Sequence, residues 1–139
     1  MKEKFLPALN AAMSKHIATG SVVEYACAAL MNLSIEEENQ PLIVQEGFLP
    51  LLLQVFKTHG ESGPVTQVAC GVLRNLAFQF DVKPLVVKQG FLPYLKTALT
   101  TFCANGPVLM EALPALENIL WKGENQMVPN SDSVDIEEL

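Results

Sequence analysis

A stretch of alternating apolar and small residues recurs in this chain at a constant interval of 43 residues. The three copies occupy residues 22–34, 65–77 and 108–120. A constant interval between about 20 and 50 residues is typical of proteins in which similar structural units stack on one another. We therefore expect three related units that share one continuous core.

The positions shared by the three copies predict which face of each helix is buried. At about 100° per residue, the apolar positions fall on one side of a helix, which we expect to face the core. They are Ala26, Ala69 and Ala112; Leu30, Leu73 and Leu116; and Leu33, Leu76 and Ile119. An asparagine is also shared, at positions 32, 75 and 118, and it points away from that side. We interpret the asparagines as a line of amides along one surface; the alternative is three unrelated solvated side chains.

A Phe-Leu-Pro triplet recurs at the same interval and predicts a second helix in each unit. Proline is tolerated in a first helical turn because the N–H it lacks would have no partner within the helix. The triplets are residues 5–7, 48–50 and 91–93, and the predicted helices are 8–17, 51–58 and 94–102.

Two further segments, 41–46 and 83–89, predict a short helix ahead of the second and third Phe-Leu-Pro triplets. Gly47 and Gly90 follow them, where glycine commonly ends a helix. Asn39 and Asp81 precede them as candidate N-terminal caps.

The resulting unit of three helices resembles the armadillo repeat. The resemblance rests on Gly-Phe-Leu-Pro before the second helix, and on the endings Ala-Leu-Met-Asn-Leu-Ser and Val-Leu-Arg-Asn-Leu-Ala of the third. It covers residues 5–122 and implies an all-α, right-handed α-solenoid. The expected solenoid spans residues 1–123, as a partial repeat 1–34 and two repeats, 35–77 and 78–123. An acidic tail, 124–139, follows, and we expect it to be disordered because its composition is polar and charged.

Charge and cysteine usage narrow the classes of partner. The net charge is −6, most of it in the tail, and no basic stripe is present, so we expect no nucleic-acid partner. The chain contains no run of about 18 consecutive apolar residues, so we expect no membrane insertion.

Cys27 and Cys70 share one repeat position, so they lie on adjacent helices. The axes of such helices are about 8–10 Å apart, which is too far for a disulfide between the two cysteines. We interpret both residues as buried free thiols, which indicates a reducing compartment. The expected location of the protein is therefore the cytoplasm, and the alternative is the nucleus.

No arrangement of residues predicts catalysis, a metal site or a cofactor. His16 and His59 also share one repeat position, and the distance between stacked helices is too large for both to bind one metal ion. We expect them near the C-terminal ends of helices, where a cationic ring is favourable. The chain is therefore predicted not to be an enzyme.

The resemblance implies a peptide-binding groove lined by the third helices, whose asparagines bond the main chain of an extended partner. A carboxamide suits this role because it carries both a donor and an acceptor. The implied binding residues are Tyr25, Ala28, Asn32, Ile35, Val68, Gly71, Asn75, Phe78, Glu111, Asn118 and Trp121. The expected partner is an extended or disordered protein segment. The alternative is a fragment of a longer solenoid, or a scaffold that self-associates through its ends.

One departure from the family pattern concerns the residue four positions before each asparagine. Nuclear-import members of the family carry tryptophan there, whereas this chain has Ala28, Gly71 and Pro114. A basic nuclear-localisation peptide is therefore not expected. The small side chains predict a deeper groove floor, and Pro114 predicts a kink because it removes one helical hydrogen bond.

Overall fold

A computed structural model of the chain describes residues 2–121 and is helical throughout that range. Its elements are α1 (Lys2–Lys15), α2 (Gly20–Leu33), a 3₁₀ turn (Glu37–Asn39), α3 (Gln40–Gln45), α4 (Phe48–His59), α5 (Gly63–Leu76), α6 (Lys83–Gln89), α7 (Leu92–Thr101) and α8 (Gly106–Leu120). Helices α3 to α5 form one three-helix unit, α6 to α8 form the next, and α1 and α2 precede them. The predicted tail, 124–139, lies outside the described residues.

Helix α5 lies at the centre of the fold, packed against α2 on one side and α8 on the other. Leu30, Leu73 and Leu76 are fully buried between these helices, as the shared apolar face predicts. Leu116, at the same repeat position in α8, is only partly buried. The difference arises because no described residue packs on the far side of α8.

The turns between the short helices and the Phe-Leu-Pro helices depend on glycine. Gly47 and Gly90 have φ angles of 88° and 91°, a left-handed conformation that side chains with a Cβ rarely adopt. Both therefore end the preceding short helix, as predicted.

Proline does not mark helix starts as uniformly as the sequence suggests. Helices α4 and α7 begin at Phe48 and Leu92, so their prolines lie in the first turn. Helix α1 begins at Lys2, however, and Pro7 lies inside it. Pro114, which was predicted to lie inside a long helix, does lie within α8, and the helix continues to Leu120.

The prediction that Asn39 and Asp81 cap the short helices is wrong. Asn39 makes no capping hydrogen bond, and its Nδ2 donates instead to the carbonyl oxygen of Leu33 at 2.8 Å. Val82, not Asp81, occupies the cap position of α6, which has no side-chain cap. Asn39 therefore ties the short helix to the C-terminal end of α2.

The cysteines behave as small core residues. Cys27 and Cys70 are buried, Cys103 is exposed, and all three are free thiols. Burial raises the pKa of both Cys27 and Cys70 to about 12. Within residues 2–121, no helix has the length and apolarity needed to cross a membrane.

Candidate functional site

The constant repeat interval places the asparagines of α5 and α8 against the preceding unit. Asn75 Nδ2 donates to the carbonyl oxygen of Met31 and to Ser34 Oγ, each at 3.0 Å. Asn118 Nδ2 donates to the carbonyl oxygen of Arg74 at 2.8 Å. Each amide thus bonds the residue immediately before the asparagine of the previous unit. Two of the three predicted asparagines therefore join neighbouring long helices, whereas Asn32 is exposed.

Three large apolar side chains lie just beyond the C-terminal ends of the long helices, one repeat interval apart. Ile35, Phe78 and Trp121 are 64%, 57% and 53% exposed, respectively. They follow α2, α5 and α8 at equivalent positions, three residues after each asparagine. We call the surface that carries these residues and the asparagines the asparagine surface.

A cavity of about 440 Å³ opens on the asparagine surface between the ends of α2, α5 and α8. Its lining residues are Ile35, Glu37, Gln40, Arg74, Asn75, Phe78, Pro114 and Asn118. Four of the predicted binding residues therefore meet in one place. Glu37, Gln40 and Arg74 were not predicted. The recurrence of a polar residue at positions 40 and 83 is a sequence signal for Gln40, whereas Glu37 and Arg74 have no such signal.

The remaining predicted residues lie around this cavity with different exposures. Tyr25 is 76% exposed on α2, whereas Ala28 and Val68 are partly buried. Trp121 packs its ring against Phe80, with ring centroids 5.4 Å apart. None of these four residues lines the cavity.

Gly71 does not contribute an open floor, contrary to expectation. It is buried, and a Cβ at this position would overlap Met31 Sδ. The Met31 side chain thus crosses from α2 and fills the space that the missing side chain leaves. A side chain at position 71 would therefore displace the end of the Met31 side chain.

Arg74 makes two polar contacts with other residues of this surface. Its Nη1 lies 2.6 Å from Glu111 Oε2, and its Nε donates to Asn75 Oδ1 at 3.2 Å. The predicted residue Glu111 is therefore engaged in an ion pair within the chain. Its carboxylate also adds to burial in raising the pKa of the Cys70 thiol.

Position 40 and its repeat equivalent, position 83, bear buried polar side chains. Gln40 Nε2 donates to the carbonyl oxygen of Ser34 at 2.7 Å, and Lys83 Nζ donates to that of Ala77 at 2.6 Å. Lys83 Nζ donates in addition to the carbonyl oxygen of Asn118. Burial lowers the pKa of Lys83, because the ammonium loses solvation there.

A larger cavity, of about 790 Å³, lies between α4, α7 and the start of α5, away from the asparagine surface. Two of its polar side chains, His59 and Ser62, bond the main chain. His59 Nε2 lies 2.6 Å from the carbonyl oxygen of Ile17, and Ser62 Oγ accepts the N–H of Val65 at 3.4 Å. His59 is the last residue of α4, as predicted for a helix C-terminal end. We place the candidate site on the asparagine surface, because four of the predicted binding residues line the cavity there and only His59 and its neighbours line this one.

Metal binding finds no support in the described part of the chain. Between residues 2 and 121, no group of three or more His, Cys, Asp or Glu side chains is arranged to hold an ion.

Comparison with known proteins identifies the repeat. Residues 36–78 match the family model described as the Armadillo/beta-catenin-like repeat. Comparisons with curated proteins and with solved structures gave no significant match. The matched segment contains the 3₁₀ turn, α3, α4 and α5, that is, one complete unit. Repeats of this kind generally form solenoids that mediate protein interactions. Residues 36–78 are therefore similar to one armadillo repeat.

Proposed function

We propose that the chain binds an extended segment of a partner protein along the asparagine surface, without enzymatic activity. The observation that carries this proposal is the coincidence of the 440 Å³ cavity with a row of exposed apolar side chains. Large exposed apolar residues around a concavity are typical of protein-binding sites.

The spacing of the row suits an extended chain. Stacked helices lie about 8–10 Å apart, which corresponds to two or three residues of extended peptide at about 3.3 Å each. Ile35, Phe78 and Trp121 would then contact alternate positions of the partner. The amide donors of Asn75 and Asn118 are used within the chain, so the side chains around the cavity supply most of the binding surface.

Selection from a random dodecapeptide phage library tests this proposal. We expect the chain to enrich peptides, and Phe78→Ala to weaken their affinity about tenfold, since aromatic anchors dominate such interfaces. Met110→Ala is the matched control, because Met110 is 71% exposed on α8 but does not line the cavity. Enriched peptides that bind Phe78→Ala as tightly as the wild type would contradict binding at this surface.

A second candidate function is self-association through the far side of α8. Leu113 is 50% exposed, whereas Cys70, its equivalent in α5, is buried beneath α8. Met110 adds a second exposed apolar side chain on the same helix. Sedimentation equilibrium decides between the two: a monomer at micromolar concentration favours the asparagine surface, and a dimer disrupted by Leu113→Asp favours end-to-end stacking.

A further inference from the structure

The two ends of the stacked helices expose apolar positions that are buried elsewhere in the fold. Ala29 of α2 is exposed, whereas Val72 and Ala115, its equivalents in α5 and α8, are fully buried. Leu113 of α8 is 50% exposed, whereas Cys27, its equivalent in α2, is fully buried. Within residues 2–121, a neighbouring unit covers the buried members of each set, and none covers Ala29 or Leu113. Each end of the fold therefore carries one half of the contact between neighbouring units, which we call a joint.

The Phe-Leu-Pro helices show the same pattern. Phe5 of α1 is 63% exposed, whereas its equivalents Phe48 and Phe91 are 1% and 0% exposed. Phe91 packs edge-on against Phe56 of the preceding unit, with ring centroids 6.0 Å apart. The equivalent of Phe56 in α7 is Leu99, which is only partly buried. Phe5 and Leu99 thus occupy, at opposite ends of the fold, the two positions that pack together in a joint.

The asparagine contact also has its two halves at the two ends. In the joint between α5 and α8, Asn118 Nδ2 donates to the carbonyl oxygen of Arg74. The equivalents of these residues at the ends are Asn32 and Glu117, and both are exposed. The Glu117 carbonyl oxygen accepts the N–H of Trp121, which leaves its second lone pair for another donor.

The side chains at one further pair of positions are complementary. Arg74 Nη1 lies 2.6 Å from Glu111 Oε2 in the joint between α5 and α8. The equivalent of Arg74 at the α8 end is Glu117, and the equivalent of Glu111 at the α2 end is Tyr25, which is 76% exposed. A tyrosine hydroxyl donates to a carboxylate, so this pair can replace the ion pair.

We propose that a second copy of the chain stacks head to tail on the first and forms a third joint like the two within the chain. Asn32 of one copy donates to the carbonyl oxygen of Glu117 in the other, and the Tyr25 hydroxyl donates to the Glu117 carboxylate. This inference rests on the second candidate function and adds to it the partner and its register. The N-terminal face is Phe5, Tyr25, Ala29 and Asn32, and the C-terminal face is Leu99, Leu113 and Glu117.

Two different faces meet in such a joint, so every added copy leaves one face of each kind free. Contacts of this type build open rows of copies rather than closed dimers. The average mass of the assembly should therefore rise steadily with protein concentration. Contact of α8 with α8 of a second copy would instead use one face twice and stop at the dimer.

The test uses two variants that each block one face. Leu113→Asp places a charge on the C-terminal face, and Tyr25→Glu places a carboxylate opposite Glu117 on the N-terminal face. Each substitution should raise the dissociation constant for self-association by about tenfold or more. Both positions are exposed, so the melting temperatures should stay close to that of the wild type.

Mixing the two variants distinguishes a head-to-tail joint from a symmetric one. Leu113→Asp retains an intact N-terminal face and Tyr25→Glu retains an intact C-terminal face, so sedimentation velocity should detect a 1:1 dimer in the mixture. Gln54→Asp, at an exposed position on α4 of the middle unit, is the matched control and should associate as the wild type does.

A restoring substitution tests the register. Adding Glu117→Arg to Tyr25→Glu should recover self-association, because the new pair reproduces the contact of Arg74 with Glu111. Adding Glu61→Arg instead changes the net charge equally at an exposed position away from both faces and should recover nothing.

The outcomes separate this inference from both candidate functions. A wild-type chain that remains monomeric would overturn the joint and end-to-end stacking together, and would leave peptide binding at the asparagine surface intact. A dimer that persists in Tyr25→Glu, with no 1:1 dimer on mixing, would overturn the head-to-tail joint and leave self-association through α8. Failure of Glu117→Arg to restore association would overturn the pairing of Tyr25 with Glu117.

Discussion

Asn75 is only partly exposed because its side chain reaches across to α2. Both of its amide hydrogens are donated, to Met31 and to Ser34 Oγ, and its oxygen already accepts from Arg74. A carboxamide oxygen has two lone pairs, so one acceptor position remains for a partner. The side chain therefore stabilises the packing of α2 against α5 whether or not a partner is bound.

Replacing Asn75 by alanine should lower the free energy of unfolding by about 1–2 kcal/mol, since its hydrogen bonds to the Met31 carbonyl oxygen and Ser34 Oγ and from Arg74 Nε are all lost. The sequence pattern, which directs this side chain away from the core, would by itself predict almost no change. Urea unfolding measures the difference. Asn32→Ala is the control: its side chain is exposed, and it should change stability by no more than about 0.5 kcal/mol. Equal effects of the two substitutions would show that the amide contacts contribute nothing.

Repeat spacing predicts which residues occupy equivalent positions but not what their side chains contact. Asn39 is of a residue type that commonly caps helices. Its side chain instead donates to the carbonyl oxygen of Leu33, because the turn before α3 brings it beneath the end of α2. The role of Gln40 is hidden for the same reason. Met31 covers Gly71 through a contact between two different units, which no local pattern in the sequence encodes.

Helix α5 is the central element of the described fold, because among the helices of residues 2–121 it alone has long helices on both sides. Its buried face was predictable, since Leu73 and Leu76 recur in register with buried leucines of α2. The start of α1 was not predictable. Pro7 looks like a proline of a first helical turn, but the helix begins at Lys2.

Truncating the core of α5 should destabilise the chain much more than the same change in α8. Leu73→Ala should lower the unfolding free energy by about 2–5 kcal/mol, as loss of a fully buried leucine side chain does. Leu116→Ala is the matched comparison at the equivalent position and should have a smaller effect, because Leu116 is only partly buried. Guanidinium unfolding of both variants provides the measurement. A larger loss with Leu116→Ala would show that α8, not α5, is the central element.

At the level of the whole molecule, the two buried thiols predict a loss of stability in alkali. Both have a pKa of about 12 in the folded chain, against 9.0 for an ordinary thiol. The unfolded chain therefore releases these protons first, and the stabilisation present below pH 9 is lost as the pH rises from 9 toward 12. Each thiol contributes a slope of up to about 1.4 kcal/mol per pH unit.

Urea unfolding between pH 8 and 10.5 checks this expectation. The double variant Cys27→Ala, Cys70→Ala should show a shallower decline than the wild type, whereas Cys103→Ala, at an exposed position, should keep the wild-type slope. Lys83 acts in the opposite direction, because its lowered pKa favours the folded state as its ammonium loses a proton. Lys83 is present in every variant, so its contribution to the pH dependence cancels when the slopes are compared. An unchanged slope in the double variant would mean that other groups govern the alkaline transition.

The amide contacts between units have a directional consequence for how a chain of this kind grows. Helices α5 and α8 each donate a side-chain hydrogen bond to the C-terminal end of the long helix before them. Asn75 donates to the carbonyl oxygen of Met31, and Asn118 donates to that of Arg74. Both contacts include a main-chain carbonyl acceptor, which every amino acid supplies. Duplication of one unit within the gene would therefore add a new joint without requiring any change in either neighbour. Length can evolve by copying alone, and the side chains near the cavity remain free to diverge from unit to unit.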